Sequence, residues 1–271
     1  MNLIVQKFGG SSVADAGRLL RVSQIVREAH DAGYDVIVVV SAQGDATDEL
    51  LQKSRSAAEA PLPRELDALL TAGEQISAAL TAMTLENQGI PAVSLNAWQL
   101  PIRTNAVHGD AKIAEIGTRR VRAELLRRRV VIVTGFQGVD EAGDITTLGR
   151  GGSDYTAVAL AAAFGAERCV IYTDVDGVYT ADPRLCPAAR RLERVAGVTC
   201  REKSGDALAA VTVVGRALPS LELEKRAILA LNAAGIIVQG VDAGTGTLTV
   251  YVAREHGHSA LCAVHDAVLA N

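Results

Sequence analysis

Asp35-Val36-Ile37-Val38-Val39-Val40 is a run of β-branched residues closed by Asp35 on one side and Ser41 on the other. A strand that is apolar at every position, not every second one, is buried on both faces, which marks a parallel sheet covered by helices. Working outward, Leu3 to Lys7, Pro91 to Leu95, Arg129 to Thr134 and Arg168 to Tyr172 read as further strands. Helices are predicted between them, from about Ala14 to Ala29, from about Thr47, from Arg64 to about Asn87, from Ile113 to Arg128, and from Asp154 to Phe164. Thr47-Asp48-Glu49 has the look of a helix cap with acidic first-turn residues, and Pro61 and Pro63 break the chain before the third helix. Gly135 to Gly149 alternates glycines with polar residues and predicts a hairpin lid. Strands alternating with helices in this way give the α/β class, an αβα sandwich around a mostly parallel sheet.

After about Ala210 the scale changes. Val211 to Val214, Ile236 to Gln239 and Leu248 to Val252 read as short strands, the last two joined by Gly244-Thr245-Gly246. Helices are expected from Leu221 to Ala234 and from about Ser259 to Leu269. This β-α-β-β-α order is the compact split-βαβ arrangement and reads as a second, small α+β domain. The expected division is residues 1–200 and residues 208–271.

Composition bounds the rest. The chain has 271 residues, 49% of them hydrophobic and 21% charged, the proportions of a globular protein with a packed core. The net charge is −4, and the only basic run, Arg127-Arg128-Arg129, falls at an expected helix end, where it answers the helix dipole. Nucleic acid is therefore not expected as a partner. No apolar stretch is long enough to span a bilayer, and the first residues lack a basic-then-apolar signal, so no membrane partner and a cytoplasmic setting are expected. Cys169, Cys186, Cys200 and Cys262 have no CxxC spacing, so neither a zinc site nor a disulfide framework is expected.

Ligands of parallel sheets gather at the carboxyl ends of the strands, and three glycine- or hydroxyl-rich turns fall there, after Lys7, after Val40 and after Tyr172. Lys7-Phe8-Gly9-Gly10-Ser11-Ser12 follows a strand and opens a helix. Its glycines let backbone N–H groups approach phosphate oxygens, and the helix terminus adds positive charge. It lacks the spacing of a Walker A loop, and by itself it is equally readable as an ordinary glycine turn. Thr147-Leu148-Gly149-Arg150-Gly151-Gly152-Ser153-Asp154 adds a guanidinium suited to a carboxylate or phosphate; its plain reading is a hairpin end with a helix cap. In the stretch from Thr173 to Arg184, Asp174 and Asp176 are spaced to hold Mg²⁺ through water, or else to form an Asp-Gly turn.

Together these segments resemble the aspartokinases of the amino-acid kinase superfamily. Lys7 to Ser12, Ser41 to Leu51, Leu70 to Ser77, Thr147 to Leu160 and Tyr172 to Arg184 look like aspartokinase motifs in the family's order. The resemblance implies the amino-acid-kinase-type sandwich, with ATP and Mg²⁺ as cofactors and L-aspartate as substrate. It also implies roles. Lys7 and Asp154 would serve catalysis. Lys7, Phe8, Gly9 and Gly10 would cradle the ATP phosphates, with Ser41 a further nucleotide contact. Thr173, Asp174, Tyr179, Asp182 and Arg184 would form the nucleotide-binding turn. Thr47 and Glu74 would hold aspartate, Glu74 through its α-amino group, while Arg150, Gly151, Gly152 and Ser153 would take its α-carboxylate. No protein residue is assigned as a metal ligand. Without the resemblance, Glu74 reads as a partly exposed helix carboxylate and Ser41 as a strand-end hydroxyl. Residues 211–269 resemble an ACT domain, the small regulatory fold of this family, and fit the second of the usual pair.

The sequence departs from the family between Arg184 and Ala210, where a much longer stretch is usual. A Gly-Ala-Lys-type segment whose lysine contacts ATP and a first ACT domain have no counterpart there. Three readings follow: an active aspartokinase with altered regulation, a catalytically weak subunit of a full-length aspartokinase, and an acyl-phosphate kinase for another amino acid. A homodimer or association with another aspartokinase chain is expected in either of the first two.

Overall fold

A computed structural model describes residues 2–173, 179–191, 199–204, 208–214, 221–244 and 247–269. The chain divides into two compact units, residues 1–174 and residues 175–271. The boundary thus falls ahead of the expected one near residue 200, and the segment that opens with Val175 groups with the C-terminal part.

The first unit contains β1 (Leu3–Phe8), α1 (Ala16–Asp31), β2 (Asp35–Val40), α2 (Ala46–Ala57), α3 (Pro63–Leu70), α4 (Ala72–Asn87), β3 (Ala92–Leu95), β4 (Ile102–Thr104), β5 (Ile113–Ile116), α5 (Arg119–Leu125), β6 (Val130–Thr134), β7 (Gln137–Val139), β8 (Ile145–Thr147), α6 (Gly152–Phe164) and β9 (Arg168–Tyr172). Five strands form an all-parallel sheet in the order β3-β6-β2-β1-β9. Alternation sorts their side chains onto two apolar layers. Val5, Ile37, Val39, Val131 and Val133 meet Ala157, Leu160 and Phe164 of α6 and Val121 and Leu125 of α5. Ile4, Phe8, Val36, Val38, Val40 and Ile132 meet Leu19, Val22 and Val26 of α1 and Ala78 and Leu85 of α4. Fully burying each such side chain is worth roughly 1.5–3 kcal/mol, so the two layers are what hold the strands in order.

A smaller sheet, β5-β4-β7-β8, contains the hairpin expected between Gly135 and Gly149. Two expectations are corrected here. The helix expected over Ile113 to Arg128 forms only at Arg119–Leu125; Ile113–Ile116 is strand β5, antiparallel to β4. Apolar residues three apart fit a helix, but pairing with β4 decides the outcome. The long helix from Arg64 is two helices meeting at Thr71, whose hydroxyl donates to the Ala68 carbonyl.

The Arg127–Arg129 run is structural. Arg120, Arg127 and Arg129 close on the buried Glu124 carboxylate at 2.9, 3.4 and 3.2 Å, and Arg128 pairs with Asp35 at 2.9 Å.

The second unit contains β10 (Thr199–Ser204), β11 (Leu208–Val214), α7 (Leu221–Ala233), β12 (Val238–Gly244), β13 (Thr247–Ala253) and α8 (Gly257–Leu269). Its antiparallel-paired sheet runs β10-β11-β13-β12, so β11 and β12 flank β13 as a split βαβ requires. Ala209, Val211, Val213, Leu248, Val250 and Val252 point to one face and pack on α7 and α8. Strand β10, which the sequence reading left out, pairs with β11 from Thr199↔Val214 to Ser204↔Ala209 and supplies the fourth strand. No helix among the described residues is long and apolar enough to cross a membrane.

Candidate functional site

The carboxyl ends of β1 and β2, the N-terminal turns of α2, α4 and α6, and the β7–β8 hairpin surround a cleft of about 660 Å³. Lys7, Gly10, Ser41, Thr47, Glu74, Arg150, Gly151, Gly152, Ser153 and Asp154 all line it. Ten residues named from four separate stretches of sequence therefore line one cleft.

Close backbone approach builds the cleft. A Cβ on Gly10 would stand 2.5 Å from the Ala42 carbonyl oxygen, and one on Gly73 would stand 2.7 Å from the Ala42 Cβ. Only glycine at both positions lets the β1 loop, the β2 loop and the start of α4 close on one another. That contact places Glu74. Its Oε1 accepts a hydrogen bond from the Ala42 N–H at 3.0 Å, whereas Oε2 is buried and has no partner. The residue is 4% exposed, not the partly exposed helix carboxylate expected from sequence alone. Burial pushes its carboxyl up to about 7, against the pull of the Ala42 amide and its own.

Lys7 is the penultimate residue of β1, its side chain is almost wholly buried, and its Nζ stands 2.7 Å from Asp154 Oδ1. A Cβ on Gly9 would lie 3.7 Å from the same Nζ. Gly151 adopts φ 71° as the N-cap of α6, and no side chain caps that terminus. A lysine, a glycine loop and an uncapped helix start together give this end of the cleft a positive electrostatic character.

Asp67, which the sequence reading missed, holds the opposite wall. It is 2% exposed. Its Oδ1 accepts from the Thr147 hydroxyl at 2.7 Å, and Oδ2 accepts from the Thr147 and Gly109 N–H groups at 3.0 and 3.1 Å. His108 Nδ1 lies 2.9 Å from Oδ2. The carboxylate thus pins β8 and the Val107–Asp110 turn to α3. Its only trace in the sequence is an acid set between Leu66 and Leu70 on the helix's apolar stripe. Asp67→Ala leaves these donors buried without an acceptor and is expected to cost roughly 3–5 kcal/mol, read as a fall in the urea midpoint. Asp67→Asn, which keeps one acceptor oxygen, is expected to lose less.

The remaining named residues lie elsewhere. Phe8 is buried and stacks on Tyr172 with ring centroids 4.6 Å apart. Gly9 donates its N–H to the Tyr172 carbonyl at 3.4 Å. Thr173 lines a second hollow, of about 310 Å³, with Phe8, Ser11, Ser12 and Tyr172. Asp174 and Asp176 lie outside the described residues. Tyr179, Asp182 and Arg184 belong to the second unit, where Arg184 Nη2 pairs with Asp182 Oδ2 at 2.7 Å and holds that carboxyl below its usual range.

A parallel αβα sandwich whose strand ends carry a buried lysine, tight glycine loops and an uncapped helix start defines the class: an α/β protein with a polar cleft at the carboxyl edge of its sheet. The chain belongs to the amino acid kinase family, whose profile matches residues 2–218. It is 55% identical to an aspartokinase of Mycolicibacterium smegmatis over 196 residues, 72% of this chain and 47% of that one. It is 52% identical to an aspartate kinase of Pseudomonas putida over 195 residues, with the same coverage of each chain. The chain therefore spans about half the length of these curated relatives. Among solved structures, E. coli aspartokinase III in complex with aspartate and ADP aligns with a TM-score of 0.62 at 23% identity, over 98% of this chain and 84% of that one. Aspartate kinase from Synechocystis aligns at a TM-score of 0.60 and 22% identity, over 98% of this chain and 69% of that one. At such identities the likeness is one of fold.

Proposed function

We propose that this chain is the kinase core of an aspartokinase, transferring the γ-phosphoryl group of ATP to the side-chain carboxylate of L-aspartate to give 4-phospho-L-aspartate and ADP. The observation that carries the reading is Glu74. A buried carboxylate with one oxygen fixed and the other unpartnered on a cleft wall calls for a cationic hydrogen-bond donor, and the α-ammonium of an amino acid is one. Arg150, at the start of α6, supplies the complementary cation for the α-carboxylate. Similarity to aspartokinases above 50% identity over 195–196 residues supports aspartate as that amino acid.

The acceptor carboxylate is ionised at neutral pH, so the transfer needs no general base. Its requirements are alignment and neutralisation of charge on the phosphoryl oxygens. Lys7 provides the cation, Asp154 holds it in place, Gly10 and the α6 N-terminus provide backbone donors, and Gly9 provides room. These groups fit a nucleotide polyphosphate, and Mg²⁺ bound with it supplies further shielding of the same oxygens.

The test is hydroxylamine trapping of aspartyl phosphate from MgATP and L-aspartate with the purified chain. Turnover with aspartate, absent with other amino acids, is the expected result. A folded, monodisperse sample without turnover assigns the chain instead to a subunit that acts with a full-length aspartokinase, and adding such a partner checks that.

A further inference from the structure

The second unit contains a cluster of side chains that the kinase chemistry does not use. Helix α8 carries Cys262, His265 and Asp266 at i, i+3 and i+4, on one face of the helix. The turn that contains Leu185, Cys186 and Ala189 packs against the apolar core to which α8 contributes. Cys186 is 1% exposed and His265 3% exposed. The Cys186 Sγ, a ring nitrogen of His265 and a carboxylate oxygen of Asp266 all lie within 4.8 Å of one another. The Cys262 thiol contacts the Cys186 thiol and donates to the Leu185 carbonyl at 3.4 Å.

We propose that Cys186, Cys262, His265 and Asp266 form a tetrahedral binding site for a thiophilic divalent cation of the zinc type. Two sulfurs, an imidazole nitrogen and a carboxylate oxygen are a donor set that such an ion takes, and four protein donors make a structural site. The spacing agrees. His265 Nδ1 and Asp266 Oδ1 are 2.9 Å apart. Two ligand atoms about 2.0–2.1 Å from a tetrahedral metal stand roughly 3.3 Å apart, so His265 and Asp266 take an ion with a small adjustment. The Cys262 thiol lies outside the 4.8 Å group and turns away from the Leu185 carbonyl to become the fourth ligand. With Nδ1 on the metal, Nε2–H donates to Thr180 Oγ1, a contact already in place at 2.8 Å, which fixes the ring's tautomer and orientation. Thr180 Oγ1 is itself anchored by the Arg190 N–H at 2.9 Å. The Asp266 side chain is 59% exposed, so the ion has a way in from solvent. Both thiols give their protons to water as the ion binds.

Such an ion staples the segment from Thr180 to Ala189 onto α8. The linear cysteine pattern does not reveal the site, because its ligands come from one turn and one helix face and not from a CxxC knuckle.

The experiment uses the full chain, reduced, stripped with a chelator and titrated with Co²⁺ and then Zn²⁺. The expected result is one equivalent of Co²⁺ with thiolate-to-cobalt charge-transfer absorption and the intense visible bands of tetrahedral cobalt, both bleached by Zn²⁺. Zn²⁺ is also expected to raise the unfolding temperature of the wild-type chain. Cys186→Ser and His265→Gln should each weaken binding by about tenfold or more, while Cys169→Ser, in the first unit, should leave it unchanged. Absence of charge-transfer bands from the folded wild-type chain overturns the site. So does a Co²⁺ affinity unchanged in Cys186→Ser, or bands that vanish in Cys169→Ser. A Cys186–Cys262 disulfide whose reduction yields no metal binding overturns it as well, and this reading does not depend on kinase activity.

Discussion

Glu74→Gln is expected to stabilise the chain at alkaline pH while removing its turnover with aspartate. The sign follows from burial. The carboxyl titrates near 4.5 when unfolded and is pushed up to about 7 in the fold, so the folded state favours its neutral form. The fold is relieved of any cost below the unfolded value, bears a growing one as pH rises to about 7, and bears all of it above that. Glutamine keeps the oxygen that accepts from Ala42 and carries no charge at any pH. At pH 8 the variant should be more stable by up to about 3 kcal/mol, a difference that vanishes near pH 4. Denaturant midpoints at the two pH values give the check; equal midpoints at pH 8 would show that the carboxylate already has a partner. Turnover should fall by roughly 10²- to 10³-fold or more, because the α-ammonium loses its charged acceptor. In the wild type, binding requires the ionised form. The KM for aspartate should therefore rise about tenfold per unit as pH drops below 7, an upturn that the variant lacks.

Lys7→Ala is expected to lower kcat by roughly 10²- to 10⁴-fold with little effect on stability. Among the described residues its Nζ meets one acceptor, Asp154, whose side chain is 47% exposed and is rehydrated when the lysine is gone. The charge of Lys7 is thus needed where phosphoryl charge develops and hardly at all for the fold. Lys7→Arg tests position against charge. The Nζ stands beside the space over Gly9, and a planar guanidinium cannot occupy it in the same way, so the variant should recover less than a tenth of the lost rate. Rates from the trapping assay, taken beside urea midpoints, separate the two effects. A variant that loses its midpoint together with its rate would assign Lys7 a structural role.

The parallel sheet was legible in the sequence because its strands are apolar at every position, and only burial on both faces explains such runs. Val36 to Val40 alternate between the two helical layers, three facing one and two the other. The cleft was legible wherever glycine or a hydroxyl follows a strand, as at Gly10 and Ser41. Other parts depend on contacts between distant residues. Ile113 and Ile116 have helical spacing, but pairing of Ile102 with Ile116 makes them strand. Asp67 resembles any helix carboxylate until Thr147 and Gly109 converge on it from beyond its own helix. Glu74 owes its burial to Gly73, whose importance emerges only when Ala42 is seen against it.

Strand β1 lies between β2 and β9, with Ile4 beside Asp-flanked Val36 on one side and Arg168 on the other. The earliest strand of this sheet must therefore wait for the last one. While it waits, β1, β2 and the helix between them can already associate, since their contacts are local in the chain. The Gly9 amide, however, finds the Tyr172 carbonyl only when β9 arrives. The glycine loop is thus tied down in the final step of the sheet's assembly, and a nascent chain arrested before Tyr172 carries a partly built core with an open edge and an unfastened loop. Synthesis itself orders the events: scaffold first, ligand loop last.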